Sequence, residues 1–403
     1  MCKARRVPIR SPAAGDRMTV ALDATPLLGM QTGVGVFCAA ALGAMGARDD
    51  VVTGAYAVTW RRRKLLPDLL PAGVAALGRS MPARPLHLAW GSSHLPPLEW
   101  FIGRSDVVHG TNFVVPPTKR AARVVTVHDL TTLRFPELCD RATLAFPGLL
   151  RRAISDGAWV HTPSKFVADE VVAELGADPS RVRAIHHGVP VRLVTADRVM
   201  RPGEDRASRI DLPPGITRYI LSIGTAEPRK DLPGLVRAFD RLSKAVPDIA
   251  LVLVGPSGWG SAALAEAIEL SPARAKIIQP GYVDQASLHA LLLKASVLAY
   301  PSLYEGFGFP PIEAMELGVP VVATSAGAIP EVVGDAASLV PVGDVDALAG
   351  ALQAVLTDPD LAAAMSTAGR RRAAKFTWEA CAAGLVGLYT DALADLRGQH
   401  IGG

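Results

Sequence analysis

Two glutamates, Glu305 and Glu313, lie eight positions apart in the last third of a 403-residue chain. An ionised carboxylate only accepts hydrogen bonds, so a pair of them facing one pocket suits vicinal hydroxyl groups, such as those of a ribose or a hexose. Gly306 and Gly308 lie between them, where bare backbone can approach a ligand closely. A structural alternative stays open for each glutamate, because Glu313 can complement a helix dipole and Glu305 can cap a turn.

The elements around these glutamates form a strand, a loop, a helix and a second strand. The apolar run Ala295–Tyr300 predicts the first strand, and Pro310 with its neighbouring proline predicts a helix start that places Glu313 in the first turn. Gly318 predicts the end of that helix, and Val319–Ala323 predicts a strand buried on both faces. Ligands of such α/β units bind at the carboxyl ends of the strands, near helix N-termini.

Two adjacent cations, Arg229 and Lys230, occupy a similar place in another strand-to-helix unit. The run Tyr219–Ile223 predicts the strand and Leu232–Leu242 predicts the helix. Arginine can hold a pyrophosphate through a fork of N–H donors, and lysine can do so as a point charge. Two solvated surface charges are the structural alternative, and we favour the pyrophosphate site because the pair falls at a strand-to-helix turn.

A glycine-rich turn follows the first predicted strand, Val20–Leu22, in the N-terminal half. Gly33 and Gly35 permit a tight turn whose backbone amides face an anion at the start of the helix Val36–Met45. Glycines punctuate most strand-to-helix turns, so this pair alone is a weak signal.

A histidine ends the buried strand predicted over Arg123–Leu130. A neutral imidazole can both donate and accept hydrogen bonds, so His128 is a candidate catalytic-site residue. Asp129 either orients it or caps a helix. His186 and His187 are adjacent in the strand predicted over Arg181–Val189, where their side chains point to opposite faces, so we predict no zinc site there.

Length and composition bound the class of protein. With 403 residues and 49% hydrophobic content, the chain is long enough for two domains with large cores. No apolar run reaches the roughly 18 to 20 residues that span a bilayer. Residues 1–17 lack the apolar core of a signal peptide, so we expect a disordered extension and a cytoplasmic protein, with Met18 as an alternative start. The four cysteines are scattered, and a net charge of +4 without a recognisable motif argues against nucleic acid as a partner.

The segment 60–104 is basic and rich in tryptophan. It carries seven basic residues against Asp68 and Glu99, with Trp60, Trp90 and Trp100 among them. A surface of this composition can lie on an anionic membrane or hold a phosphorylated lipid. A solvated surface helix is the alternative.

The string from Tyr300 to Asp335 resembles the E-x7-E signature of the family 4 retaining glycosyltransferases. Three further strings agree with it: T-G-V-G at Thr32–Gly35, V-H-D at Val127–Asp129 and G-T-x-E-P-R-K-D at Gly224–Asp231. The resemblance implies the GT-B fold, in which two doubly wound Rossmann-like α/β domains face each other across an interdomain cleft. It implies an N-terminal acceptor-side domain at 18–190, a linker at 191–215, a donor-binding domain at 216–377 and a helix at 378–396 that packs back on the first domain.

The resemblance also implies a role for each candidate residue. Many members carry an arginine where this chain has Thr225, so Arg229 and Lys230 must together stabilise the pyrophosphate leaving group. Lys230 is the safer assignment of the two. The resemblance implies that His128 contacts the donor sugar and that Glu305 orients the hydroxyls of that sugar. It places Glu313 at the ribose and Val283 near the base. It also implies that backbone N–H groups are donated by Gly306, Phe307, Gly308 and Phe309, and that Gly33 and Gly35 close over the pyrophosphate. We expect neither a metal nor another cofactor, and Asp344 and Asp346 are interpreted as helix-capping residues.

The function implied is retaining transfer of a hexosyl group, with mannose from GDP-mannose favoured, to a glycan or lipid-linked acceptor in cell-envelope polysaccharide synthesis. No carboxylate for a double displacement is identifiable in the sequence. By analogy with the family that the chain resembles, front-face attack is the expected mechanism. The expected location is the cytoplasm, at the inner face of the plasma membrane if segment 60–104 binds lipid. Two alternatives belong to other classes: a nucleotide-sugar 2-epimerase of the same architecture and a non-catalytic GT-B binding module.

Overall fold

A computed structural model describes residues 17–29, 32–139, 143–189 and 212–401. The chain divides into two compact units, the first comprising the described residues up to Gly188 and those from Thr377 onward, the second Val189–Phe376. Residues 1–16 of the predicted extension and 191–211 of the predicted linker lie outside the described residues.

Parallel strands form the centre of the first unit, in the spatial order β3-β2-β1-β4-β5-β6-β7. This is a doubly wound order, in which the direction of winding reverses between β1 and β4. The strands are apolar and mostly buried, as expected when helices cover both faces. Their bounds are β1 Met18–Asp23, β2 Val51–Tyr56, β3 Ala75–Ala76, β4 Val107–Gly110, β5 Ala122–Thr126, β6 Trp159–Thr162 and β7 Val182–Ala184.

The helices of this unit follow from local capping and proline signals. Ser164 caps the helix that begins at Lys165, because its hydroxyl accepts from the backbone N–H of Val167 at 3.2 Å. The helix bounds up to the end of β7 are α1 Gly33–Gly46, α2 Leu66–Leu69, α3 Ala83–Ser92, α4 Glu99–Ile102, α5 Thr131–Arg134, α6 Phe146–Ser155 and α7 Lys165–Leu175.

Two strands in this unit end earlier than predicted. β5 ends at Thr126, so His128 lies in the loop beyond the strand. β7 ends at Ala184, so His186 and His187 also follow a strand instead of occupying one, and the argument from alternating faces does not apply to them. The apolar pattern continues past both strands because Val127 and Val189, which follow them, are also buried.

The second unit repeats the doubly wound pattern with the order β10-β9-β8-β11-β12-β13, also parallel, and its winding reverses between β8 and β11. Its core contains Leu235 and Phe239 from the helix after β8, both fully buried. The strand bounds are β8 Arg218–Ile223, β9 Ile249–Val254, β10 Ile277–Gly281, β11 Val297–Tyr300, β12 Val321–Thr324 and β13 Ser338–Val340.

Glu313 lies in the second turn of its helix, which corrects the prediction of a first-turn position. The helix begins at Phe309, one residue before the prolines, because Gly308 at φ 102° provides the left-handed residue that precedes it. The helix bounds of this unit are α8 Leu232–Ala245, α9 Ser261–Glu269, α10 Gln285–Lys294, α11 Phe309–Glu316, α12 Ile329–Val333, α13 Val345–Thr357 and α14 Pro359–Ala373.

The C-terminal helix, α15 at Trp378–Ile401, belongs to the first unit. The Tyr389 hydroxyl lies 2.6 Å from Nδ1 of His109 at the carboxyl end of β4. The Asp395 carboxylate accepts from Trp159 Nε1 at 3.2 Å and pairs with Arg181 at 2.9 Å. Among the described residues, no helix has the length and apolarity needed to cross a membrane.

Candidate functional site

The reversal of winding in the second unit brings the two predicted charge motifs together. Arg229 and Lys230 lie in a 3-10 turn, Pro228–Lys230, that follows β8, and Glu305 lies in the loop that follows β11. β8 and β11 are neighbouring parallel strands, so their carboxyl ends meet at one edge of the sheet. This is the position at which open α/β sheets bind their ligands.

Both oxygens of the Glu305 carboxylate hold a cation. Oε1 pairs with Lys230 Nζ, and Oε2 lies 3.2 Å from Arg229 Nη1. Lys230 Nζ also donates to the Tyr300 hydroxyl at 2.8 Å, and Arg229 Nε pairs with Glu227 Oε2 at 2.8 Å. Tyr300 and Glu227 were not among the predicted site residues. The five side chains form one hydrogen-bonded group, which we call the cation cluster.

The centre of the cation cluster is buried. Lys230 is 9% exposed and Glu305 is 7% exposed. Burial alone would raise the pKa of Glu305, but the charges of Lys230 and Arg229 outweigh burial and lower that pKa to about 2. Glu305 is therefore ionised at neutral pH. Its two cations are already fixed in place before any anionic ligand arrives, so they lose little freedom on binding.

A glycine from a different loop fixes the backbone of Glu305. Gly327 has φ 54°, and a Cβ on it would lie 2.3 Å from the Glu305 carbonyl oxygen. That same oxygen accepts from the N–H of Ala328 at 2.8 Å. Only glycine permits this approach together with a left-handed backbone.

We therefore expect Gly327→Ala to destabilise the second unit by about 2 to 5 kcal/mol, from the left-handed strain and the overpacking together. The midpoint of thermal unfolding, followed by calorimetry, measures it. Gly350→Ala is the matched control, because Gly350 lies inside α13 with nothing within 4 Å of its Cβ position and should be neutral or slightly stabilising. Equal midpoints for the two variants would contradict the packing described here.

The loop before α11 presents backbone instead of side chains. Phe307 is 5% exposed, and its ring lies edge-on to Phe309 at 5.4 Å and to Phe376 at 5.9 Å. Its side chain is part of the core, so only its main chain remains to face a ligand. A Cβ on Gly308 would lie 2.6 Å from Ile329 Cδ1. Gly306 lies in the same loop, and Glu313 is 7% exposed.

A cavity of about 350 Å³ lies beside the cation cluster, at the carboxyl ends of β8, β9 and β10. Gly224 and Gly255 line it at φ 155° and 152°, and a Cβ on Gly224 would lie 3.4 Å from Lys230 Cε. Gly281 is also in the wall, and Val283 follows it two residues later, half-buried. None of the predicted site residues lines the cavity itself. Gly224 and Gly255 were not among the predicted site residues, although each directly follows a buried strand.

The predicted site residues of the first unit lie in two strand-to-helix turns. Gly33 and Gly35 occupy the first turn of α1, with Thr32 as the preceding residue. The His128 Nε2 donates to the Thr111 carbonyl at 2.8 Å, which leaves Nδ1 as the unprotonated, accepting nitrogen. Asp129 accepts from the N–H of Thr131 at 2.9 Å, so it stabilises the turn before α5.

A buried hydrogen-bonded chain lies behind His128, and no sequence pattern predicted it. The Ile185 carbonyl can only accept, so His161 donates to it from Nε2 at 3.1 Å and accepts at Nδ1 from the Thr126 hydroxyl at 2.9 Å. Thr126 must then accept from His109 Nε2 at 2.7 Å, and His109 Nδ1 accepts from Tyr389. Burial lowers the pKa of His161 to about 3, so this chain is uncharged at neutral pH.

Asp344 caps α13, as predicted, by accepting from the N–H of Ala347 at 2.9 Å. Over the described ranges, no group of three or more histidine, cysteine or carboxylate side chains could hold a metal ion.

Comparison with known proteins identifies the family of the chain. The family model described as Glycosyltransferase Family 4 matches residues 33–193, and the model described as Glycosyl transferases group 1 matches residues 205–372. The O-antigen chain mannosyltransferase B of Escherichia coli is 31% identical over 70% of this chain and 74% of its own length. The D-inositol 3-phosphate glycosyltransferase of Segniliparus rotundus is 29% identical over 82% of this chain and 73% of its own length.

The solved structure of sucrose-phosphate synthase from Thermosynechococcus elongatus has the same fold, with a TM-score of 0.71 and 20% identity, covering 94% of this chain and all of that one. Two doubly wound units with a ligand edge in the second are the architecture of the GT-B glycosyltransferases, so the predicted fold class is confirmed. The chain belongs to glycosyltransferase family 4.

Proposed function

We propose that this glycosyltransferase moves a mannosyl group from GDP-mannose to a glycan or lipid-linked acceptor in the synthesis of a cell-envelope polysaccharide. The cation cluster carries the proposal, because two adjacent cations held by a buried carboxylate at the ligand edge of the second unit suit the pyrophosphate of a nucleotide-diphosphate sugar. The choice of mannose is supported by the similarity to the O-antigen chain mannosyltransferase.

In this proposal the cations act on the leaving group. Negative charge builds on the pyrophosphate as the glycosidic bond breaks, and Arg229 and Lys230 stabilise it without a metal ion, together with the backbone N–H groups of Gly306–Phe309. The base lies near Val283, beside the cavity of about 350 Å³. Glu313 accepts from the ribose hydroxyls. Glu305 retains accepting lone pairs beyond those used by its cations, and these orient hydroxyls of the sugar.

The first unit contributes an accepting nitrogen and an anion-binding turn. Nδ1 of His128 accepts from a hydroxyl of the donor sugar, since Nε2 is committed to the Thr111 carbonyl. The first turn of α1, with Gly33 and Gly35, supplies amides to the pyrophosphate. Transfer proceeds with retention by front-face attack, in which the leaving phosphate takes the proton of the attacking hydroxyl.

A donor panel tests this function. The purified chain is incubated with GDP-mannose, UDP-glucose, UDP-N-acetylglucosamine or a dTDP-sugar, with and without EDTA, and the released nucleotide and the sugar product are measured. We expect acceptor-dependent release of GDP that EDTA does not change. A 2-epimerase would instead convert the donor sugar with no acceptor present, and a binding module would bind without turnover.

Segment 60–104 is the proposed membrane contact. Trp60, Leu88 and Trp100 are 65%, 77% and 57% exposed, and Arg61 and Arg84 are exposed in the same segment. Trp90 is not part of this surface: it is 4% exposed, and its indole N–H donates to the Pro96 carbonyl at 3.0 Å. Exposed aromatic and aliphatic side chains among cations suit an anionic lipid surface at the inner face of the plasma membrane.

Flotation with lipid vesicles checks this contact. We expect the chain to float with vesicles of 70% phosphatidylcholine and 30% phosphatidylglycerol, to float less in high salt, and to lose most binding in a Trp60→Ala/Leu88→Ala variant. Trp259→Ala is the matched control, because Trp259 is 71% exposed but belongs to the second unit. An equal loss in both variants, or no binding by the unaltered chain, would exclude segment 60–104 as the contact.

A further inference from the structure

Tyr300 is the last residue of β11, and its hydroxyl lies inside the cation cluster. The side chain is 2% exposed, and Lys230 Nζ donates to the hydroxyl oxygen at 2.8 Å. The two residues are 70 positions apart in the chain, and the pairing of β8 with β11 brings them together. The ligand edge of the second unit therefore contains a phenol in direct contact with one of the two cations.

The hydrogen bonds of Lys230 show what this phenol can do. A lysine ammonium group has three N–H donors and no acceptor. Within the described part of the chain, Lys230 Nζ donates one N–H to Oε1 of Glu305 and a second to the Tyr300 hydroxyl. These two partners set the rotation of a tetrahedral group, so the direction of the third N–H is fixed as well. That third N–H remains for a ligand.

The Tyr300 hydroxyl is a neutral acceptor. Burial and the Glu305 carboxylate hold the pKa of Tyr300 well above its ordinary value, so the hydroxyl keeps its proton at neutral pH. A carboxylate in its place would add a third negative charge to a cluster that already contains Glu305 and Glu227. Tyr300 therefore orients the ammonium group without cancelling a positive charge that an anionic ligand needs.

The same contact supports the charge of Lys230. Burial lowers the pKa of Lys230, and the positive charge of Arg229 lowers it further. The carboxylates of Glu305 and Glu227 act in the opposite direction and raise that pKa. A hydrogen bond accepted from the ammonium group also favours the charged form. The Tyr300 hydroxyl therefore helps to keep Lys230 protonated, which is the form that attracts a phosphate.

Tyr219 on the neighbouring strand β8 provides a structural comparison. It is also buried, and its hydroxyl donates to the Leu291 main-chain carbonyl at 2.7 Å. That bond satisfies a buried polar group through the main chain. Tyr300 differs because its partner is an ionised side chain, and because it lies at the carboxyl end of its strand, where the ligand edge is.

We infer that Tyr300 is a positioning residue of the pyrophosphate site, whose hydroxyl orients the Lys230 ammonium group so that its third N–H meets the pyrophosphate of the donor. This inference rests on the proposed function, in which Lys230 stabilises that pyrophosphate. Tyr300 acts through Lys230, so its effect does not depend on which base the nucleotide carries.

The test titrates GDP, and separately UDP, into the full chain and into Tyr300→Phe by calorimetry in EDTA, from about pH 7 to about pH 9. We expect the variant to bind the nucleotide about tenfold more weakly, the loss expected for one hydrogen bond to a charged group. The decline of affinity on the alkaline side should also begin at lower pH. Removing the hydroxyl lowers the pKa of Lys230, so the positive charge is lost earlier as the pH rises.

Tyr219→Phe is the matched control, because it removes the same hydroxyl from a buried tyrosine of the same sheet. Its nucleotide affinity should stay within about twofold of the unaltered chain, with the same pH dependence. Both variants keep the aromatic ring that fills the core, so their midpoints of thermal unfolding should lie within about 5 °C of the unaltered chain.

Unaltered affinity and pH dependence in Tyr300→Phe would overturn the inference and leave the proposed function intact. An equal loss in Tyr219→Phe would also overturn it, because a general loosening of the sheet would then explain both variants. Binding of UDP but not GDP would overturn the proposed donor and leave the inference standing. Binding of neither nucleotide by the unaltered chain would overturn both.

Discussion

Replacing Lys230 by methionine lowers kcat/KM for transfer by about 100- to 1,000-fold, the loss typical of removing one preorganised group that stabilises developing negative charge. Methionine keeps the apolar stem that lies against Gly224, so the packing there remains. Glu305 keeps Arg229 as its partner, 3.2 Å away, so the carboxylate is not left as an isolated buried charge. The loss therefore reports the missing ammonium group and not a collapsed site.

Initial rates of nucleotide release at several donor concentrations measure this effect. Lys165→Met is the matched control, because Lys165 is exposed on α7 and its pair with Asp169 is solvent-screened. We expect the control to retain full activity. A Lys230→Met variant that keeps more than a tenth of the original kcat/KM would show that other groups stabilise the pyrophosphate leaving group.

We expect replacement of Glu305 by glutamine to lower thermal stability and transfer activity, but to increase the stabilisation that bound nucleotide provides. The amide can accept from one cation only, and its N–H₂ group then faces the other, so a buried ion pair is broken at a cost of about 3 to 5 kcal/mol. For a unit of this size the midpoint of thermal unfolding should fall by about 10 °C. A bound pyrophosphate supplies the negative charge that the variant lacks, so GDP should raise the midpoint more in Glu305→Gln than in the unaltered chain.

Transfer in the same variant should fall, because the accepting lone pairs that orient the sugar are lost with the carboxylate. Asp248→Asn provides the comparison: Asp248 also pairs with an arginine, Arg218 at 2.8 Å, but both side chains are more than a third exposed. Its midpoint should change little. A Glu305→Gln protein with full transfer activity would show that the Glu305 carboxylate does not orient the sugar, and an unchanged midpoint would contradict the burial of its charges.

The sequence predicts the sheets well because a strand buried on both faces leaves a continuous apolar run. The run at Ile249–Val254 coincides with β9, and Tyr219–Ile223 misses β8 by one residue. Helix starts are less predictable where the deciding residue is a glycine. Prolines at 310 and 311 pointed to a start there, but the left-handed Gly308 starts α11 at Phe309 and moves Glu313 into the second turn.

Side-chain contacts between distant parts of the chain could not be predicted from local sequence patterns, because only the tertiary fold creates them. Glu305 meets Lys230 from 75 positions away, and only the pairing of β8 with β11 creates that contact. The same holds for the chain from Tyr389 through His109, which joins residues 280 positions apart. Local patterns thus indicated candidate residues, and the tertiary structure shows which of them are in contact.

The most direct measurement of the central claim is a calorimetric titration of GDP-mannose into the purified chain in EDTA, repeated with Lys230→Met. We expect one binding site per chain in the unaltered protein, no effect of the chelator, and at least about a tenfold weaker affinity in the variant, because a buried charge-assisted contact to the pyrophosphate is lost. Binding that requires a divalent ion, or equal affinity in the two proteins, would show that the cation cluster is not the pyrophosphate site.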